Sequence, residues 1–461
     1  MRFYVRSPFF SRVAIVVLLD LAALIASFSF AFYTLPEPVP FSARVALTLG
    51  VALVALLSLQ ATGAYGLATL PNGSRTTIAL LSAMGIGFGG AIFAYLLLPV
   101  DPVVTHASLR AAALFIPLFL VERKGFRSVS KRVRKRILLV GTGELATDLM
   151  NRVKEREGLG LEVVGVLTGD DDEPWEVPKP GIPILGLFHH VEKLMRGTRA
   201  ERIADWVVVT SRGRNEPLPA GQLLQLKTCG IPVCSGTALY ERITGEVYVN
   251  DLRSSVLIFG SDFGMNLFER ALKRSLDVAV SAVALVLLTP VLLAAALAIR
   301  LDSKGSIFFK QVRVGRLGEC FEIIKLRTMK EAAEDGTGPT FASRDDDRIT
   351  RVGRLLRRTR IDELPQLWNV LKGEMSIVGP RPERPEFLDE INRRYPYFPV
   401  RAACRPGVTG WAQVRLGYVS DIEGIERKLA LDLFYLRNAS ITLDLWIIWS
   451  TLRTVFTLSG V

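Results

Sequence analysis

The chain has 461 residues, room for two or three domains, and 49% of them are hydrophobic. A mean hydropathy of +0.31 is high for a soluble protein and low for a pure membrane bundle, so a mixed architecture of membrane helices and soluble domains is expected. A formal net charge of +12 draws the chain to anionic lipid, nucleic acid or phosphorylated substrates; no helix-turn-helix or RNA-binding signature stands out, so lipid headgroups and phosphosugars are expected rather than nucleic acid.

Four apolar segments come first, at 13–33, 45–67, 77–100 and 103–121. Each approaches the ~20 residues that cross ~30 Å of hydrocarbon, which predicts a four-helix transmembrane bundle over residues 1–130. Arg2, Arg6 and Arg12 lie ahead of the first segment, and the basic run "ERKGFRSVSKRVRKR" follows the fourth. The positive-inside rule places both ends in the cytoplasm. The first segment reads as a retained anchor, because no small-x-small cleavage site follows its long apolar core. Arg110 lies within the fourth segment. It is a functional candidate by default, with snorkelling to the outer interface as the plainer reading.

Residues 131–262 read as a Rossmann-like α/β domain. "RILLVG" has the pattern of a buried strand, "TGELATDLMNRV" that of a helix, and "LEVVGVLTG" and "ADWVVVTSR" those of further strands. Gly141, Gly143 and Ala146 form G-x-G-x-x-A, with Asp170 to Asp172 further on. This fits a dinucleotide fingerprint, and it fits equally a Rossmann-like domain that binds nothing, which is the expectation. Cys229, Cys234, Cys320 and Cys404 lack zinc-ribbon spacing and read as reduced thiols. His106, His189 and His190 all precede residue 200. An enzyme in the last 200 residues therefore works with carboxylates, lysines or tyrosines, without a Ser-His-Asp triad or His-ligated zinc.

Residues 263–461 carry the strongest signals. A fifth apolar segment, "LDVAVSAVALVLLTPVLLAAALA", has Lys273 and Arg274 before it and Arg300, Lys304, Lys310 and Arg313 after it. Both flanks favour the cytoplasm. Proline removes a donor and kinks a helix, and a neighbouring hydroxyl can restore part of the bonding. Residues 274–300 are therefore read as a re-entrant helix that breaks at Thr289-Pro290, with a straight fifth span as the alternative. "DRITRVGRLLRRTR" then sets Arg348, Arg351, Arg354 and Arg358 at helical spacing, a basic amphipathic surface suited to lipid headgroups.

In "DELPQLWNVLKG", Pro365 favours a first helical turn and Gly373 a helix end. Asp362 and Glu363 then lie at the helix start, where N–H groups favour anions. An N-cap role would explain one acid. It would not explain two adjacent acids among Arg357, Arg358, Arg360, Lys372 and Arg381. Two carboxylates can divide labour, one attacking phosphorus and one holding Mg²⁺. "IVGPRPERP" reads as a strand ending in a rigid loop that projects Arg381, whose fork can grip phosphate oxygens. In "RPGVTGWAQV", Trp411 divides evenly between core packing and binding.

In this order, "KRSLDV", the Thr-Pro pair, "FEIIKLRTM", "RITRVGRLLR", "DELPQLWNVLKGEMSIVGPRP", "RPGVTGWAQV" and "DLFYLRNASITLDL" resemble the large monotopic phosphoglycosyl transferases of bacterial exopolysaccharide and O-antigen assembly. "YERITGEVYVNDL" is similar to the subgroup linked to exosortase-type loci. The resemblance implies a multi-pass inner-membrane protein with a cytoplasm-facing α/β monotopic catalytic domain. It implies transfer of a sugar-1-phosphate from a UDP-sugar to undecaprenyl phosphate with release of UMP. Asp362 would carry a phosphosugar-aspartyl intermediate and Glu363 would bind Mg²⁺. Lys325, Arg327, Arg348, Arg358, Arg381 and Gln413 are the expected substrate-binding residues. The partners are those two substrates and membrane lipid, with a homo-oligomer left open. Thr289-Pro290 stands where the family usually has Ser-Pro, and "RPGVTG" replaces Lys-Pro-Gly-Ile-Thr-Gly; both changes keep the chemistry of the position. A nucleotide-sugar dehydratase would need Tyr-x-x-x-Lys, which neither Tyr240 nor Tyr248 provides. The intact "DELPQ" argues against a non-catalytic scaffold.

Overall fold

The computed structural model describes residues 8–34, 59, 110–111, 113–125, 135–155, 160–169, 182–195, 202–210, 220–252, 265–330, 348–416 and 422–456. The chain divides into two compact units, one ending at Gly245 and the other beginning at Glu246.

In the first unit, helix α1 (Pro8–Tyr33) is long and apolar enough to cross a membrane over Val16–Tyr33. Residues 113–125 are also helical. Two arginines join them. Arg123 Nη2 lies 2.7 Å from Asp20 Oδ2, with both side chains fully buried. Arg110 Nη1 donates to the Thr34 carbonyl at 2.6 Å, so it caps the end of α1 instead of only reaching for the interface. These crossings pair position 20 with 123 and position 34 with 110, so the two helices run antiparallel. The segments expected at 45–67 and 77–100 lie outside the described residues, apart from Leu59.

The same unit holds a five-stranded sheet in the order β3-β2-β1-β4-β5, every pair parallel. Its strands are β1 (Lys135–Val140), β2 (Leu161–Thr168), β3 (Ile184–Leu187), β4 (Trp206–Val209) and β5 (Val233–Ser235). The central β1 is buried from Ile137 to Val140, as expected for a strand covered on both faces. Between β1 and helix α2 (Glu144–Glu155), Gly141 and Gly143 adopt φ of 114° and 102°, which an L side chain rarely tolerates. Helices α3 (Val191–Met195), α4 (Ala220–Thr228) and α5 (Gly236–Thr244) complete this Rossmann-like arrangement. Asp170 to Asp172 lie outside the described residues.

The second unit is organised on helix α6 (Leu267–Asp302), 36 residues long. Asn266 and Glu269 close a capping box at its start. Its middle is apolar and exposed, as at Val286 (73%) and Leu287 (71%). The helix continues through Pro290 without the expected break. Thr289 Oγ1 donates to the Leu285 carbonyl at 2.7 Å, bonding that bends helices. Both ends of α6 pack on the same unit. Near the start, Arg274 donates to the carbonyls of Val370 and Leu371, and Asp277 accepts from Ser376 Oγ and Ile377 N–H. Near the end, Ala295 and Ile299 cluster with Leu326 and Leu356, and Asp302 accepts from Val352 N–H.

An antiparallel hairpin follows, β6 (Phe308–Val314) with β7 (Cys320–Leu326). Thr350 caps helix α7 (Arg351–Thr359) by accepting from Gly353 N–H at 2.9 Å. Helix α8 (Gln366–Lys372) ends in a left-handed Gly373, as its sequence predicts. The short parallel strands β8 (Ser376–Val378) and β9 (Gly407–Thr409) touch backbone to backbone. A Cβ on Gly407 would lie 2.1 Å from the Gly379 nitrogen, so only glycine fits there. Helices α9 (Pro385–Arg394), α10 (Trp411–Leu416), α11 (Ile422–Asn438) and α12 (Ile441–Phe456) complete the unit. Trp411 is buried and stacks on Phe434, which assigns it to the core.

Candidate active site

The two carboxylates sit in a tight turn between α7 and α8. Arg360 ends α7 in the left-handed region, with φ of 60°. A 3₁₀ turn then covers Ile361–Glu363 and leads through Pro365 into α8. Asp362 and Glu363 are thus one turn ahead of α8, and neither is its N-cap. Both are buried, at 7% and 8% exposure.

Their surroundings divide them. Arg381, in the loop after β8, grips Glu363 with its fork: Nη2 is 2.6 Å from Oε1 and Nη1 is 3.3 Å from Oε2. Lys325 Nζ and Arg360 Nη1 approach the same Oε1 at 3.5 and 3.6 Å. Burial alone would raise the Glu363 pKa; the Arg381 and Lys325 charges overcome it and hold the carboxyl well below its ordinary range. Asp362 has no such clamp. Burial first, and then repulsion from Glu363, push it from the ordinary 3.8 up to about 6, against the pull of Lys325, Arg357 and Arg360. Its Oδ1 is buried without a hydrogen-bond partner among the described residues. Burial lowers the Lys325 amine to about 8 despite the attraction of Glu363. Paired acids whose environments drive their pKa values apart mark divided chemical roles.

A second layer of charges holds the Arg381 loop. Arg401 donates to the Arg381 carbonyl at 2.8 Å and pairs with Asp432 at 2.7 Å and Glu383 at 3.2 Å. Lys428 also pairs with Glu383. Val314 N–H and Arg313 Nη1 donate to the carbonyls of Glu383 and Pro382. Asn369 on α8 accepts from Ile324 N–H and donates to the Glu322 carbonyl and to Glu374, tying α8 to the strand that carries Lys325.

The expected substrate-binding residues separate into two sets. Lys325 and Arg381 meet Glu363 directly. Arg327 lies just past the end of β7, two residues after Lys325, and its Nη2 donates to Ser303 at the end of α6. Its Nε and Nη1 are buried without partners among the described residues. Arg358 is exposed on α7, and Arg348 lies before that helix. Gln413 Nε2 donates to the Val408 carbonyl, and among the described residues no hydrogen bond ties it to the carboxylates. Arg357 and Arg360, named above only as neighbours, are the α7 cations whose charge reaches Asp362. Helical spacing alone could not choose them over Arg358, because the left-handed Arg360 redirects the chain just before the acids.

A metal ion can be tested against this donor set. Among the described residues no group of three or more carboxylate, histidine or cysteine side chains could hold one. The unpartnered Asp362 Oδ1 and the loosely held Glu363 Oε2 are hard oxygen donors of the kind Mg²⁺ takes. With Lys325, Arg360 and Arg381 beside them, the residues fit a Mg²⁺ that arrives with an anionic diphosphate supplying further oxygens.

Residues 268–458 match the family model described as bacterial sugar transferase. The chain is 40% identical to a UDP-N-acetylgalactosamine-undecaprenyl-phosphate N-acetylgalactosaminephosphotransferase of Aeromonas hydrophila, over 49% of this chain and 53% of that protein, about half its length. It is 46% identical to a UDP-glucose:undecaprenyl-phosphate glucose-1-phosphate transferase of Caulobacter vibrioides, over 40% of this chain and 70% of that protein. It is 31% identical to the transferase of that same description in Escherichia coli, over 69% of this chain and 67% of that protein. With the paired carboxylates, their arginine clamp and these matches together, the chain belongs to the bacterial sugar transferase family.

Proposed function

We propose that this chain transfers a sugar-1-phosphate from a UDP-sugar to undecaprenyl phosphate at the cytoplasmic face of the bacterial inner membrane, as the first step of exopolysaccharide or O-antigen assembly. The observation that carries the reading is the asymmetry of the two acids. Glu363 is locked by three cations, whereas Asp362 keeps a buried oxygen that nothing among the described residues engages. A carboxylate oxygen so placed is a nucleophile.

In the first step an Asp362 oxygen attacks the phosphorus that bears the sugar. The bond from that phosphorus to the bridging oxygen breaks, and UMP leaves with the electron pair. In the second step a phosphate oxygen of the lipid attacks the same phosphorus. The acyl-phosphate bond breaks, the Asp362 carboxylate returns, and a sugar diphospholipid forms. Lys325 and Arg381 hold the diphosphate charge, and Glu363 keeps both oriented. Mg²⁺, held by Glu363 Oε2, would neutralise charge on the diphosphate and the leaving UMP.

The packing of α6 supports a re-entrant membrane anchor. Both of its ends dock on one unit while its apolar middle stays exposed, which favours both ends on one side of a bilayer. On this reading Arg327, which donates to Ser303 at the end of this helix, would meet the lipid phosphate.

The test is UMP release from a panel of UDP-sugars, with and without undecaprenyl phosphate. One UDP-sugar should give lipid-dependent turnover. If every UDP-sugar leaves UMP at background while the protein is folded, the reading fails.

A further inference from the structure

Helix α8 carries two buried amides with opposite fates. Asn369 is fully buried and fully bonded, to Ile324, Glu322 and Glu374. Gln366, 1% exposed, has an Nε2 with no hydrogen-bond partner among the described residues. Buried polar groups are almost always bonded, so an exception needs a physical reason. This fold satisfies a buried amide on the same helix three residues away, so poor packing of α8 is not the reason.

The position of Gln366 supplies one. The chain is helical from the 3₁₀ turn at Ile361–Glu363 through Leu364 and Pro365 into α8. Backbone N–H groups along it bond to the carbonyl three residues back, as Leu364 to Ile361 and Leu367 to Leu364, so a turn takes about three residues. Gln366 therefore follows Asp362 by just over one turn, and Asp362 Oδ1 is the other unpartnered buried atom of this segment. An acceptor and a donor sit on successive turns, and neither satisfies the other. The group that completes both must bond to the carboxylate and accept from the amide.

We propose that Gln366 is a further catalytic residue, whose amide N–H donates to a non-bridging oxygen of the phosphoryl group while that group is transferred to and from Asp362. This rests on the reading of Asp362 as the nucleophile. A neutral amide suits the task. It fixes an oxygen as charge shifts around phosphorus, and it adds no cation to a site that already holds Lys325, Arg360 and Arg381. Preorganised donors of this kind act chiefly on the transition state.

The experiment compares wild type, Gln366→Met and Gln366→Glu as full-length protein in detergent. Three quantities are measured: the rate of UMP release in the first turnover without lipid, the affinity for UMP, and the unfolding temperature. Gln366→Met keeps the length and apolar stem of the side chain and removes the donor. Its first-turnover rate should fall about tenfold to a hundredfold, with UMP affinity and unfolding temperature unchanged. Gln366→Glu replaces the donor with a negative charge and should be slower still. A Met variant within twofold of wild type overturns the proposal. So does a parallel loss of rate, UMP affinity and unfolding temperature, which would make Gln366 a packing residue. If wild type itself releases no UMP, the reading of Asp362 fails instead.

Discussion

Replacing Asp362 by asparagine should abolish activity and, at neutral pH, stabilise the protein. Burial and Glu363 raise the Asp362 pKa from 3.8 to about 6. Its favourable contribution to folding is therefore complete below pH 3.8 and lost as the pH rises through about 6. At about pH 7.5 the ionised carboxylate costs the folded state about 3 kcal/mol, a little over two pH units at about 1.4 kcal/mol each. Asparagine removes that cost but brings an amide that can lack partners, offsetting about 1–2 kcal/mol. The expected net gain is about 1–2 kcal/mol, or roughly 2–8 °C in Tm for a unit of this size. The pH dependence is the sharper signature, because the amide offset does not titrate. The advantage of asparagine should grow by about 1.4 kcal/mol between about pH 5 and about pH 7.5. Thermal unfolding of Asp362→Asn and wild type in metal-free detergent buffer measures both. A variant that is less stable than wild type at neutral pH, or whose advantage shrinks as pH rises, would refute the argument.

Glu363→Gln should leave Arg381 without its charged partner and cut turnover at least a hundredfold, with loss of any Mg²⁺ dependence; full activity of wild type in EDTA would contradict the metal assignment. Arg401→Met strands the buried Asp432 and should destabilise the catalytic unit by about 3–5 kcal/mol, seen as a lowered denaturation midpoint. A reporter cysteine at Lys304 should resist an impermeant thiol reagent in intact cells and react after lysis, because the proposed re-entrant anchor puts both ends of α6 on the cytoplasmic side; labelling in intact cells would establish a straight span.

The sequence revealed the site best where residue type and immediate neighbours carry the chemistry. Asp362, Glu363 and Arg381 were legible because two adjacent acids among several cations have few structural explanations, whereas Lys325 was expected only through the family resemblance. The α7 arginines were not, since the choice of Arg357 and Arg360 over Arg358 depends on a left-handed residue that ends the helical period. Buried amides were also invisible. Gln366 and Asn369 resemble surface residues until packing encloses them. In the Rossmann-like unit, β1, β2 and β4 showed as apolar runs. The four residues of β3 and three of β5 are too short to have a period of their own and take their form from parallel neighbours. Helix α6 was legible as an apolar segment, but its continuity through Pro290 was not, because the Thr289 hydroxyl supplies a bond that residue type alone does not announce.

The most direct test of the account is to trap the intermediate. Wild-type protein is mixed with a UDP-sugar in the absence of lipid, quenched, digested and mapped by mass spectrometry. One equivalent of UMP should appear in a burst, and a phosphosugar adduct should sit on the peptide carrying Asp362. Adding undecaprenyl phosphate should discharge it, and Asp362→Asn should show neither burst nor adduct. No burst and no adduct from a wild type that turns over with lipid present, together with intersecting double-reciprocal lines, would mean direct transfer in a ternary complex and would contradict the role assigned to Asp362.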